Sequence, residues 1–145
     1  MAINIKIAAV GKIKDKPLLE KIRDYEERIS HDARLEIIEI KDCGAEAEGE
    51  KFIDLAERDG SAFAALSEDG VQYSSTEFSA LLEKLGPRIL FVIGGPNGIS
   101  PKVKSHARVL LSLSKMTFTH EMARMFLLEQ IYRAISIKCN RKYHR

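Results

Sequence analysis

Four places in this chain of 145 residues carry groups able to do chemistry. Ile93-Gly94-Gly95-Pro96-Asn97-Gly98 follows a run of apolar residues with no spacer. Glycines there let backbone approach a bound molecule closely, and proline stiffens the turn. The loop can therefore offer N–H and C=O groups to a polar heterocycle or a ribose. It lacks the Gly-Lys-Ser/Thr ending of a phosphate-cradling loop and the G-x-G-x-x-G spacing of a dinucleotide site. Taken alone, it fits a tight structural turn equally well. The segment Leu113-Ser114-Lys115-Met116-Thr117-Phe118-Thr119-His120 is apolar for a surface connection. That sets Met116 and Phe118 against something, a gap in the core being the plainest choice. Glu129 and Arg133 stand four apart on a helical stripe, as suited to an ordinary ion pair as to a functional one. The last eight residues, Lys138 to Arg145, hold four permanent positive charges together with Tyr143 and His144. A basic end on a body of net charge +2 suits local contact with phosphates, with a solvated terminus as the alternative.

These groups need a scaffold, and the patterning supplies one. Apolar periodicity predicts strands over 3–10, 35–40, 62–66, 88–93 and 108–113 and helices over 16–29, 45–58, about 74–85 and 120–137. Glu68-Asp69-Gly70 reads as a turn, Ser74-Ser75-Thr76-Glu77 as a capping box, and Ser100-Pro101 as the start of a short helix. Strands alternating with helices define an α/β protein with a mostly parallel sheet in a single domain over 1–145. Ligands in such sheets bind at the carboxyl ends of the strands, which selects the loops 66–70, 94–100 and 112–119. The final helix is apolar well around its cylinder, with Met122 and Phe126 beside Leu127, Leu128, Ile131, Tyr132 and Ile135. In so small a domain this points to contact with a second copy.

Composition narrows the classes. Hydrophobic residues make up 45% and charged residues 30%, with no run long enough to span a bilayer. The amino-terminal residues alternate as a strand does and lack a signal-peptide core, so a cytoplasmic protein with no membrane contact is expected. Cys43 and Cys139 read as free thiols, and no Cys/His group has metal-ligand spacing, so no metal is expected.

Four blocks together resemble the RlmH family of ribosomal large-subunit RNA methyltransferases, in the SPOUT superfamily. They are Ile93 to Gly98, Leu111 to Phe118, Glu129-Gln130-Ile131-Tyr132-Arg133-Ala134, and Tyr143-His144-Arg145, in that order and spacing. Ala8 to Lys12 looks like that family's opening strand, and the resemblance covers essentially the whole chain. It implies a trefoil-knotted α/β fold, an exception to the rule against knots, in a homodimer with the knot near the subunit contact. It also implies S-adenosylmethionine as methyl donor and N3 of a pseudouridine in large-subunit ribosomal RNA as acceptor. By motif position Leu66, Gly94 with Gly95 and Gly98, and Leu113, Ser114, Lys115, Met116, Thr117 and Phe118 would hold the donor. Arg141, Lys142 and Arg145 would reach the RNA, and Tyr143, His144, Arg133 and Glu129 would serve the acceptor. The chain departs from the family in carrying Thr119 where many relatives have proline, and in a shorter 41–50 loop.

Two roles for the chain end stay open. His144 could take the acceptor proton, since imidazole titrates near neutrality. Alternatively Tyr143 and His144 could grip the nucleotide while hydroxide or an RNA group takes the proton, a mobile tail being a poor place for a base. Arg133 could stabilise an enolate oxygen or bind phosphate. Modest net charge favours assembled ribosomes over naked RNA as substrate. The rival functions are a ribosome-associated assembly protein that has lost catalysis and a phosphate-transfer enzyme using Glu68 and Asp69.

Overall fold

The computed structural model describes residues 3–144. Its elements are β1 (Ile3–Val10), α1 (Lys16–Ser30), β2 (Ala33–Ile40), α2 (Ala45–Asp59), β3 (Ala62–Gln72), α3 (Ser75–Leu85), β4 (Arg88–Ile93), α4 (Pro101–His106), β5 (Val109–Ser112) and α5 (His120–Lys138). The strands form one parallel sheet in the order β2-β1-β4-β3-β5. Parallel neighbours need crossover connections, and the helices between strands provide them. Among the described residues no helix is long and apolar enough to cross a membrane.

Alternation along the strands splits the core in two. Ile5, Ile7 and Ala9 of β1 join Ile89, Phe91 and Ile93 of β4 beneath α1, α3 and α5. Ala8, Val10, Leu90 and Val92 point the other way, toward α2 and α4. Being covered on both faces, β4 is apolar almost throughout. α5 packs against both α1 and α3 and buries Leu127, Leu128 and Ile131 completely. Burial of each such side chain contributes roughly 1.5–3 kcal/mol.

Local signals explain where helices begin. Ser74 Oγ accepts from the Glu77 N–H while the Glu77 carboxylate accepts from the Ser74 N–H, completing the capping box. Ser100 caps α4 one way only, its Oγ accepting from the Val103 N–H at 3.2 Å. Thr119, the departure from proline, caps α5: its hydroxyl accepts from the Met122 N–H at 3.2 Å. Thr119→Ala is expected to cost about 1 kcal/mol, seen as a lower urea midpoint with an unchanged slope.

β3 differs from the short strand that the sequence suggests. It continues to Gln72, yet Leu66 and Val71 both pair with Leu111, so residues 67–70 leave the ladder as an excursion. The turn residues Glu68-Asp69-Gly70 occupy that excursion, and pairing with β5 resumes beyond it. β5 is shorter than expected, Val109–Ser112, and β2 starts earlier, at Ala33.

Candidate active site

The segments at the carboxyl ends of β3, β4 and β5 leave neighbouring strands on one edge of the sheet. They enclose a cavity of about 500 Å³, within the roughly 300–1,000 Å³ of small-molecule sites. Leu66, Gly94, Gly95, Gly98, Leu113, Ser114, Met116, Thr117 and Phe118 all line it. Lys115 does not; its side chain is exposed outside the lining. The wall also contains Lys104, for which the sequence carried no signal. Lys104 Nζ donates to Asp69 Oδ2 at 2.9 Å, tying α4 to the β3 excursion at the rim. Thr119 and His120 line it from the start of α5.

The glycine loop is both a turn and a wall. The Gly98 N–H donates to the Gly95 C=O at 2.9 Å, with Pro96 and Asn97 as the central residues and Gly98 at φ +73°. A Cβ on Gly94 would lie 2.8 Å from the Gly98 carbonyl oxygen and 2.9 Å from its carbon. Only a residue without a side chain lets these two backbone segments sit so close. Behind the loop stands Glu48, 2% exposed despite its place in an acid-rich stretch. Its Oε2 accepts from the Cys43 and Gly44 N–H groups at 3.0 and 3.1 Å and so holds the start of α2.

Phe118 rests on Phe126, ring centroids 5.0 Å apart, as expected of an apolar loop residue. Met116 does not follow that expectation: at 75% exposure it stands largely in the open at the cavity wall. Met122 and Phe126 are also exposed. With Glu129 and Arg133 they follow helical spacing down one outward stripe of α5.

A second cavity of about 400 Å³ adjoins the first, sharing Leu111, Leu113 and Phe118. Its wall carries Ser75, Ser112, Glu129 and Gln130 among apolar groups. Ser75 Oγ donates to Gln130 Oε1 at 2.7 Å and Gln130 Nε2 donates to Glu129 Oε1 at 2.8 Å, fixing the amide and aiming the carboxylate.

The other oxygen of Glu129 reaches the chain end. α5 closes in a Schellman motif, with Asn140 left-handed at φ 56° and the Asn140 and Arg141 N–H groups donating to the carbonyls of Ile137 and Ser136. The tail then doubles back along α5. The Arg141 guanidinium forks onto Asp32 at 2.8 and 2.5 Å. Tyr143 meets Tyr132 edge-on at 4.8 Å and lies 4.8 Å from the Arg133 guanidinium. Its hydroxyl donates to Glu129 Oε2 at 2.8 Å. A phenol has one proton to give, so the 2.9 Å contact with the Tyr25 hydroxyl is donated by Tyr25. Burial, then the hydrogen bonds to Tyr25 and Glu129, push the Tyr143 phenol well above its ordinary range, so it remains a donor. Arg133 Nη2 donates to Glu129 Oε2 at 2.7 Å and Nη1 to His144 Nδ1 at 3.1 Å. Guanidinium can only donate, so Nδ1 accepts and the ring proton sits on Nε2.

The tail is therefore held, not mobile. Tyr143, His144, Arg133 and Glu129 form one network, whereas Arg141 is occupied by Asp32 and Lys142 is exposed. Arg145 lies outside the described residues. Tyr25, buried in the core on α1, is polar scaffolding as well.

A family model described as "Predicted SPOUT methyltransferase" matches residues 3–144. The chain is similar over nearly its full length to proteins named ribosomal RNA large subunit methyltransferase H. That of Acholeplasma laidlawii is 40% identical, covering 99% of this chain and 100% of the relative. That of Prochlorococcus marinus is 41% identical over 97% and 94%, and that of Clostridium botulinum 41% over 99% and 100%. Among solved structures the SpoU methyltransferase AviRb of Streptomyces viridochromogenes, in complex with the cofactor AdoMet, shares the fold at a TM-score of 0.50 and 9% identity. The match covers 96% of this chain and 61% of that one. The chain belongs to the SPOUT methyltransferases and, within them, to the family of ribosomal RNA large subunit methyltransferase H.

Proposed function

We propose that this protein transfers a methyl group from S-adenosylmethionine to N3 of a pseudouridine in large-subunit ribosomal RNA, acting as a homodimer on the assembled ribosome. One observation carries the reading: the glycine-walled cavity, the adjoining cavity and the Glu129-held tail form an unbroken line. The donor's chemistry fits the first cavity, which has apolar walls for a purine, loop backbone for hydrogen bonds, and Glu68 and Asp69 for hydroxyl or ammonium groups. Leu66, Gly94, Gly95, Gly98 and 113–118 would hold it, although the Lys115 side chain points elsewhere. Bound there, the sulfonium supplies an electrophilic methyl group.

The remaining work is positioning and the handling of one proton. The Nδ1 lone pair of His144 is engaged by Arg133, and Tyr143 keeps its proton. Both facts favour gripping of the nucleotide over proton abstraction, with the imide proton leaving to solvent or to an RNA group. Arg133 is neutralised by Glu129, so it suits orientation of the tail better than phosphate capture. Met122 and Phe126 on the outward stripe of α5, with Phe118 of the preceding loop packed on Phe126, form an exposed apolar patch, which supports a second copy seated there with the knotted segment nearby.

Methyl transfer from labelled donor to ribosomes and to purified RNA, with mapping of the modified nucleotide, tests this. Label at a pseudouridine N3 on ribosomes, with little on naked RNA, is expected. Comparable rates on both would remove the ribosome requirement, and no donor binding by calorimetry would leave an assembly protein instead. A chain ending at Asn140 is expected to keep donor affinity and to lose methylation about a hundredfold, the penalty of a misplaced acceptor.

A further inference from the structure

We infer that Tyr25 and Asp32, neither of them in the donor or acceptor blocks, are positioning residues that pre-order the C-terminal tail for RNA. The inference rests on the proposed function in assigning the tail to the acceptor.

The tail has two kinds of anchor. Glu129, Tyr132 and Arg133 belong to α5, the element from which the tail itself emerges, so they move with it. Tyr25 and Asp32 come from α1 and from the turn before β2. Among the described residues they are the polar groups that fix the tail to elements other than α5. Each acts at a different point. The Asp32 fork holds Arg141 just past the Schellman turn, and the Arg141 guanidinium keeps the Asp32 carboxyl below the usual carboxylate range. Tyr25 gives its proton to Tyr143, which is thereby committed to donate to Glu129. Glu129 in turn lines the second cavity. The relay Tyr25–Tyr143–Glu129 therefore couples α1 to the wall where the acceptor would sit.

A short chain end left free would lose conformational entropy at every residue on binding RNA. Anchoring it beforehand removes that cost and fixes His144 and Tyr143 within reach of one another. Tyr25 is suited to this because its ring is already seated, 6.0 Å from Tyr132 and 5.5 Å from the Arg28 guanidinium. Its hydroxyl can be removed while that packing stays.

The test uses full-length Tyr25→Phe and Asp32→Asn, and the double exchange Asp32→Arg with Arg141→Asp. Each is assayed for methylation of ribosomes and for S-adenosylmethionine affinity. Trypsin cleavage after Arg141 and Lys142 reports how tightly the tail is held. The single variants are expected to raise KM for ribosomes about tenfold, the factor attached to roughly one hydrogen bond. Their kcat and donor affinity should stay within about twofold of the parent, and the tail should be cut faster. The exchanged pair should restore resistance to cleavage after Lys142, which a general loss of packing would not allow. Parental KM in both single variants would overturn the inference, as would higher activity, which would make the anchors a latch. If the chain ending at Asn140 methylates normally, the tail's role in RNA falls and the inference with it. If that chain is inactive while both single variants behave as the parent, only the inference falls.

Discussion

Gly94→Ala is expected to yield a folded protein that no longer binds S-adenosylmethionine. The added methyl would meet Gly98 backbone at 2.8 and 2.9 Å and Ile99 Cγ2 at 3.0 Å. Backbone cannot rotate aside as a long side chain can, so the 94–98 turn must move outward or the end of β4 must bend. Overpacking of this kind costs typically 1–3 kcal/mol, which a well-buried sheet tolerates. The cavity wall is less forgiving, since a shift of that turn withdraws the groups that would meet the donor. A loss of affinity of at least about tenfold per hydrogen-bonding group displaced follows. Gly98→Ala is the informative comparison. Its φ of +73° disfavours alanine, but a Cβ there meets nothing within 4 Å. It should cost about 1–2 kcal/mol of strain and weaken donor binding far less. Calorimetric titration of both variants separates the two; equal affinities would mean that the loop is a turn and no more.

Arg124→Leu is expected to be the most destabilising single change outside the hydrophobic core. Arg124 is 2% exposed on the inner side of α5, and its Nη1 donates to Glu39 Oε2 at 2.7 Å and its Nη2 to the Gly11 C=O at 3.1 Å. It also faces Glu26, whose carboxyl is raised first by burial and is drawn back by the Arg124 charge. Leucine would leave a backbone carbonyl and two carboxylates without their cation. Breaking a buried pair from one side costs about 3–5 kcal/mol, and Glu39 is 36% exposed, which puts the loss toward the lower figure. A fall in Tm of about 6–12 °C corresponds to that loss in a domain of this size. Adding Glu39→Leu should recover part of it, because the stranded charge goes too. Destabilisation that simply adds would show that the pair is not coupled.

The parts of this fold legible in the sequence are those fixed by short-range chemistry. The apolar run of β4, the capping boxed at Ser74 and Glu77, Ser100-Pro101 and the length of α5 all stand in the structure where periodicity and caps set them. Long-range pairing was less visible. Glu68-Asp69-Gly70 has the composition of a strand end, and only the ladder with β5 makes the strand resume at Val71. Leu66 and the glycine loop could be grouped because all parallel strands deliver their loops to one edge. Lys115 could not be excluded from that group, since adjacency in sequence does not say which way a side chain turns. Arg124 looked like any polar residue of a helix; its burial depends on Gly11 and Glu39, far away along the chain. Tyr25 and Asp32 share that difficulty, as their partners Tyr143 and Arg141 lie at the opposite end of the sequence.

The strand order also bears on how the chain acquires its shape. β1 pairs with β2 and β3 with β4 through neighbouring segments, but the two halves are joined by β1 against β4, where Asn4 meets Arg88. Closing that seam requires more than half the chain, an entropic barrier that slows folding relative to proteins built from local contacts. α5, the last helix made, packs on both α1 and α3 and supplies Leu127, Leu128 and Ile131 to the larger core. During synthesis the part of the sheet face between α1 and α3 stays uncovered until α5 is made, and the apolar surface exposed until then is prone to aggregation.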